Sequence, residues 1–590
     1  MYPHPLDVYK GRCLGRREQY LRNFSHAVRS KPNWTEKILD RALVAKWLRE
    51  AAKQDNFCPQ EYEVITWDRN DIDFVYTELV EGYKAYVEEM REKGLPIEPD
   101  IDGVWRADGL IDEALRKELM EAVSTLENVP DSEKDWHPGS KQQVLDLVHP
   151  SLWPIIYRRT VNAIDGKPIE APKEASEDRA WDSDDDYAQN DEEEDNLTGW
   201  SKDFCWLPTE FEISDSGETT IISYINNLAL PEQKALFNPI ISRVFTKFIP
   251  LFNHVLGDMA TDRHDQKRTF SPDEWYWEYK RVDYVRTSDY ENNWEKLLRQ
   301  FENGKNLTAS YPICGSSGSD DGSESEGSED SEDSEDSDGS DPGKVEIWDL
   351  GNLTGTGWKP PVVTNRTKLE GKTAKVIVKL ANIVLTPEKP SYSGGTWHIE
   401  AMKNERIIAT GIYYYDQENV TDSKLSFRRL ISLSRIGGDG SNWAEAHGME
   451  SGWGIGAQEL GSVKTQNNRA IAFPNIFQHC VSSFELIDKT KPGHRKILVF
   501  FLCDPGHEVP TTRTVEPQQP EARFRLEESM REGKLGKLPE EIFSSITKEL
   551  PPIISLAEAK RYRELLMQER SGFNKDSKMV KGRSYSLCEH

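Results

Sequence analysis

The sequence predicts an α+β protein in which antiparallel strands, arranged as a sandwich or jelly-roll barrel, are wrapped by N-terminal and C-terminal helices. Three observations carry that reading. Apolar residues recur at helical intervals through the early chain; from residue 345 onward the pattern changes to short β-rich runs; and two acidic stretches break the sequence between them.

The helical part comes first. Residues 32–54 (PNWTEKILDRALVAKWLREAAKQ) space Ile38, Leu39, Leu43, Val44 and Leu48 along one helix face, with Thr35 as the expected N-cap. Residues 73–94 repeat the pattern and end at Gly94, a residue suited to the left-handed turn after a helix. A third helix is expected over 112–129. Short strands around a glycine turn and then a long amphipathic helix follow in the region 201–256, and the aromatic-rich stretch 274–301 is expected to line the core.

The β block contains five runs bounded by Gly, Pro, Asn or Asp: 375–387, 404–416, 423–430, 468–479 and 494–505. Helix returns in 532–570. The expected organisation is a helical N-terminal region (1–170), an acidic disordered insertion (171–197) and a mixed region packing on the barrel (198–312). A Ser/Asp/Glu linker (313–344), the jelly-roll domain (345–515) and a helical C-terminal region (516–590) complete it.

The net charge of -28 is concentrated in those insertions. Residues 320–341 hold twelve acids and no base, and residues 177–195 hold eleven acids and one arginine, leaving only -6 for the rest. Such tracts cannot bury apolar surface and are predicted to be disordered. They could recruit basic partners, whereas binding to nucleic acid through phosphate neutralisation is not expected. The 17 Trp, 21 Tyr and 20 Phe supply a substantial core. Seven scattered cysteines without a C-x-x-C fit reduced thiols, and the N-terminus lacks the apolar segment of a signal peptide. An intracellular protein, cytoplasmic or nuclear and neither secreted nor membrane-spanning, is the expectation.

The stretch GGTWHIEAMKNERIIATGIYYYD places His398 and Glu400 at i and i+2. On an extended chain both side chains point to one side. The pair could be a surface accident, a hydrogen-bonded pair or part of a metal site, and about one H-x-[DE] triplet is expected by chance in this composition. Its surroundings add weight. A Gly-Gly turn precedes it, His479 ends the run RAIAFPNIFQH, and Arg495 opens the apolar run RKILVFFL. An arginine leading into a buried strand is costly unless it meets an acid. Two imidazoles and a carboxylate form the facial triad of non-haem Fe(II) sites, and a guanidinium suits the far carboxylate of a 2-oxo acid.

In this order (H-x-E, a strand carrying YYYD, His, then Arg heading a hydrophobic strand) residues 375–510 resemble 2-oxoglutarate/Fe(II)-dependent oxygenases of the prolyl-hydroxylase type. Over nearly the whole chain the sequence resembles a largely fungal family known as domain of unknown function 4246. The shared phrases include KPNWTEKILDRALVAKW, WLPTEFEI, SYINNL, FPNIFQH, KPGHRKILVFFLCDP and the terminal LCEH. The oxygenase resemblance implies a double-stranded β-helix (jelly-roll) barrel. It implies Fe(II) held by His398, Glu400 and His479, and 2-oxoglutarate held by Arg495 with Tyr414 on the intervening strand. The chemistry implied is hydroxylation of an unidentified small-molecule or protein substrate.

This chain departs from the common pattern in using Glu400 where aspartate is usual. A Gly-rich insert at 437–461, containing Trp443 and His447, is expected to loop over the barrel mouth. Two other classes stay open: a cupin-like metal protein with different chemistry, and an inactive barrel serving as an interaction module. Neighbouring His494 and Lys496 are the rival cations on the last strand, expected to face away from the interior.

Overall fold

The computed structural model describes residues 2–6, 14, 16–55, 69–175, 199–260, 287–304, 368–430 and 457–581. The core of each acidic stretch, Trp443 and His447 of the Gly-rich insert, and residues 274–286 of the aromatic-rich stretch lie outside these residues. Two compact units divide the chain. The smaller comprises Tyr20–Glu81 and Lys267–Pro360, and the larger comprises Met1–Gln19, Gly82–Gln266 and Pro361–His590.

In the smaller unit the helices Arg41–Asp55 and Thr287–Glu302 lie side by side. Arg49 ties them, pairing with Glu295 at 3.0 Å and Glu302 at 2.8 Å. The expected helix over 32–54 is broken in two. Trp34–Lys37 forms one turn, and Asp40 then caps the next helix by accepting from the N–H groups of Ala42 and Leu43 at 3.0 and 3.1 Å. Thr35 is therefore inside the first turn, and Asn33 precedes it in a left-handed conformation.

The larger unit contains helices and mainly antiparallel sheet. Its strands are β1 Ile97–Pro99, β2 Trp105–Asp108, β3 Val144–Val148, β4 Ile155–Ile156, β5 Phe204–Cys205, β6 Thr209–Ile213, β7 Thr219–Ile221 and β8 Thr373–Leu385. They continue with β9 Ser391–Tyr392, β10 Ile407–Glu418, β11 Ser423–Leu430, β12 Ala457–Thr465, β13 Arg469–Pro474, β14 Phe477–Val481, β15 Phe484–Glu485 and β16 Gly493–Cys503. A nine-stranded sheet runs β1-β2-β13-β10-β16-β8-β6-β7, with β3 also paired to β8. A three-stranded sheet runs β12-β11-β14. Strands from the early chain therefore complete the sheet whose centre comes from the late chain.

The alternation of side chains sorts the large sheet into two faces. On the outer face Phe500 meets Phe245 and Phe248 of the Pro231–Ala260 helix, with ring centroids 5.1 and 5.3 Å apart. Gly411 permits this close approach: a Cβ there would fall 2.8 Å from Phe248 and Phe252. That helix is long and apolar enough to cross a membrane by length and composition, yet its phenylalanines are spent on the sheet. On the inner face Ile377, Ile412, Tyr414, Phe473, Val499 and Phe501 share one buried cluster with Leu425, Phe427 and Val463 of the three-stranded sheet. Burying each such side chain contributes about 1.5–3 kcal/mol, so the facing of the two sheets is a substantial stabilising contact of this unit.

The run 468–479, expected as one strand, is two. The chain leaves the large sheet after Pro474 and enters the small one at Phe477. Asn475 sits at the corner: its backbone N–H still donates to the Ile408 carbonyl at 2.8 Å, while its side-chain amide donates to the carbonyls of Glu400 and Ile407. Among the described residues the strands form separate sheets, and no closed barrel is present.

Candidate functional site

His398 and His479 form an isolated antiparallel bridge, the His398 N–H reaching the His479 carbonyl at 3.1 Å and the reverse bond measuring 2.9 Å. The Gly-Gly turn makes this possible. Gly394 has φ +91, and a Cβ there would meet the Val481 carbonyl oxygen at 2.8 Å, so only glycine fits without strain. The neighbouring Gly395 N–H donates to the same carbonyl at 2.9 Å.

The two imidazoles and Glu400 converge. Glu400 Oε1 lies 3.2 Å from His479 Nε2 and 3.8 Å from His398 Nε2, and the rings are 4.1 Å apart between centroids. One ligand-type atom from each residue falls within 4.8 Å of the others, and all three residues are buried. His398 Nδ1 donates to the Thr396 carbonyl at 2.6 Å, which leaves the lone pair on Nε2. Glu400 Oε2 is buried with no partner.

The electrostatics suit a cation. Burial alone would raise the Glu400 carboxyl, but the His479 hydrogen bond and the charges of His479, His398 and Lys379 outweigh it and bring it to about 2. Burial and the neighbouring His398 lower His479 to about 4, against the opposing pull of Glu400. The buried Asn475 holds the loop: its Oδ1 accepts the Glu400 N–H at 2.9 Å, and its Nδ2 donates to the Glu400 carbonyl at 3.0 Å. Glu405 ties the same loop down by accepting from the N–H groups of Met402 and Trp206 and from Arg570.

Arg495 is 1% exposed. Its guanidinium lies over the Phe484 ring at 4.0 Å and donates to Gln417 at 3.2 Å and to the Ser423 hydroxyl. Nη2 is buried without a partner, and no acid pairs with this cation among the described residues. Tyr414 faces the same interior; burial raises its hydroxyl to about 12, partly offset by the charges of Arg495 and Arg469. Tyr413 and Tyr415 point to the other face, bonding Asn468 and Asn382. The rivals are engaged elsewhere. His494 meets Asp416 at 2.8 Å, and Lys496 meets Glu127 at 3.1 Å.

A family model described as "Protein of unknown function (DUF4246)" matches residues 69–525, and the companion "Domain of unknown function DUF4246, N-terminal" matches residues 1–50. The chain belongs to the DUF4246 family. Among curated proteins none matches it. Solved structures with a partial likeness include the selenomethionine-labelled Fe(II)/(alpha)ketoglutarate-dependent dioxygenase TqaL, at 15% identity and TM-score 0.16 over 25% of this chain and 48% of that one. Another is EvdO2 from Micromonospora carbonacea var. aurantiaca complexed with 2-oxoglutarate, at 12% identity and TM-score 0.14 over 24% and 58%. This chain spans about half the length of each, and likeness at these TM-scores carries no inference.

Three features of this DUF4246 chain escape the sequence reading. Asn475 sits inside an apparent strand, and its polar side chain in FPNIFQH was the available signal. Lys379 interrupts the apolar run KVIVKLANIVL on the inner-face register, a visible oddity. His137, Asp146 and His149 form a second buried group, brought together by folding from the separate phrases DWHPG and LDLVHP.

Proposed function

We propose that this DUF4246 chain is an Fe(II)- and 2-oxoglutarate-dependent oxygenase on a double-stranded β-helix scaffold. The observation that carries the reading is the convergence of His398, Glu400 and His479, together with a buried arginine lacking an acid partner on the strand face that also carries Val499 of the inter-sheet cluster. The donor set fits Fe(II): two imidazole side chains, one ionised carboxylate and an orphaned carboxylate oxygen that a cation would satisfy. A cupin-like site with other chemistry would have no use for Arg495, whose burial is costly unless an anion arrives.

His398, Glu400 and His479 would hold the metal, which when bound activates dioxygen together with the 2-oxo acid and oxidises a C–H bond. Everything else is the work of this chain. The Thr396 carbonyl fixes the His398 tautomer, and Asn475 clamps the Glu400 backbone. The Arg495 fork binds the distal carboxylate of 2-oxoglutarate, aided by the Tyr414 hydroxyl, while Phe484, Ile412 and Val499 keep water from the pocket.

The test is anaerobic titration of the protein with Fe(II) and 2-oxoglutarate, followed by succinate release in air, alongside His398→Ala. Stoichiometric binding and slow succinate formation, both lost in the variant, are expected. A protein that binds neither metal nor 2-oxoglutarate is not this enzyme.

A further inference from the structure

We propose that Arg570, on the C-terminal helix Leu556–Lys581, is a positioning residue for Glu400, so that the last helix is a working part of the metal centre. The metal rests on the oxygenase reading; the hold on the loop does not.

The loop that carries Glu400 is strained. Ala401, the next residue, is fully buried and has φ +56, a left-handed conformation unfavourable for a residue with a Cβ. Arg406, at the far end of the loop, has φ +46. Such conformations persist only where the surroundings over-determine them. Asn475 fixes the Glu400 end. Glu405 fixes the other: its Oε2 accepts the Met402 N–H at 3.0 Å, and its Oε1 accepts the Trp206 N–H at 2.7 Å.

A buried carboxylate in this role needs a cation, and Arg570 supplies it. Arg570 Nη2 donates to Glu405 Oε1 at 3.2 Å, and its guanidinium lies over the Trp206 ring at 4.1 Å. The two side chains are only 3% and 1% exposed, so water does not stand in for either. The preceding residue makes a second hold. The Glu569 carboxylate accepts the Ser201 hydroxyl at 2.8 Å, and Ser201 is joined to Asn404 by bonds of 2.7 and 3.0 Å. Successive helix residues therefore hold successive loop residues: Glu569 reaches Asn404 through Ser201, and Arg570 reaches Glu405 directly.

The helix is itself well anchored. Ala559 and Leu566 share a buried cluster with Ala401 and Trp206, and Arg563 pairs with Asp135 at 2.8 Å. It lies beyond residues 69–525, the span matched by the main family model. Without Arg570, Glu405 takes up a proton or turns toward water, and its hold on the Met402 N–H weakens. Ala401 is then free to relax, and the Glu400 carboxylate leaves its place 3.2 Å from His479.

The test compares Arg570→Met with Arg563→Met, which loosens the same helix without touching the loop. In the metal-free protein, hydrogen exchange at the Met402 and Trp206 amides should lose protection in Arg570→Met and keep it in Arg563→Met. Co(II) affinity should fall by about 10–100-fold in Arg570→Met, with a changed ligand-field spectrum at saturation, and stay at the wild-type value in Arg563→Met. Thermal melts confirm that each variant is folded. Should Arg570→Met not fold, Arg570→Met/Glu405→Gln removes both buried charges together and should still weaken Co(II) binding. Wild-type exchange and Co(II) affinity in a folded Arg570 variant, or equal losses in Arg563→Met, overturn the assignment. A wild type that takes up no Co(II) counts against the oxygenase reading, and the exchange measurement then decides the hold on the loop by itself.

Discussion

Asn475 and Glu400 are locked together by a two-way bond: the asparagine carbonyl oxygen accepts the Glu400 N–H at 2.9 Å, and its amide returns to the Glu400 carbonyl at 3.0 Å. The same amide also reaches Ile407 at 2.9 Å. One side chain thus fixes the loop carrying two of the three converging residues to the corner that delivers the third. Asn475→Ala leaves buried backbone groups unpaired and should cost about 2–4 kcal/mol in urea denaturation. It should also weaken Fe(II) binding by roughly 10–100-fold in an anaerobic titration, as loss of a supporting bond behind a ligand typically does.

Substituting His479→Ala or Glu400→Ala removes a converging donor. Each should lower affinity for Co(II), used as a spectroscopic substitute, by about 100-fold or more, beyond what loss of a supporting residue costs. Retention of wild-type affinity in both variants would exclude the metal reading.

Arg495→Met should act with opposite signs on two measurements. Stability of the free protein should be unchanged or higher, since a buried cation without an acid is removed. Binding of 2-oxoglutarate should weaken by about 2–5 kcal/mol, at least ~30-fold in Kd, because the carboxylate loses its only proposed fork. Calorimetric titration and thermal melting of the same sample separate the two effects.

Acidification should destabilise the protein through His4 and His149. Burial, then neighbouring cations (Arg406, Lys403 and His507 for His4; Lys379, His137, Arg563 and Arg570 for His149), hold both well below 6.5. The folded state keeps them neutral, while the unfolded chain takes up protons near 6.5. Their contribution is thus complete above that pH and declines as pH falls below it, by up to about 1.4 kcal/mol per pH unit for each. Denaturation series between pH 7.5 and 5.5 should show this slope, and His149→Gln should flatten it.

Gly394→Ala should be disproportionately harmful for a one-carbon change. The positive φ and the 2.8 Å approach to the Val481 carbonyl together predict a loss of about 1–3 kcal/mol. The turn feeding His398 shifts with it, so Fe(II) affinity should fall in the same sample.

Local pattern was enough to read the helix and strand types. Period-2 and period-3.6 repeats are properties of neighbouring residues, and the late strands lie within a few positions of their expected ends. The H-x-E pair, His479 and Arg495 were legible for the same reason: residue type and strand register give the face. Where strands would pair was not legible. Nothing local says that β2, β3 and β6 from the early chain join the sheet built by β8, β10, β13 and β16, or that Asn475 turns one run into two. Those outcomes depend on which apolar faces bury each other and which amide finds which carbonyl, across separations of tens to hundreds of residues. The unpaired state of Arg495 and the pairing of Arg570 with Glu405 are likewise set by neighbours distant in sequence, because a buried polar group acquires its meaning from the partners that folding brings, or fails to bring, within reach.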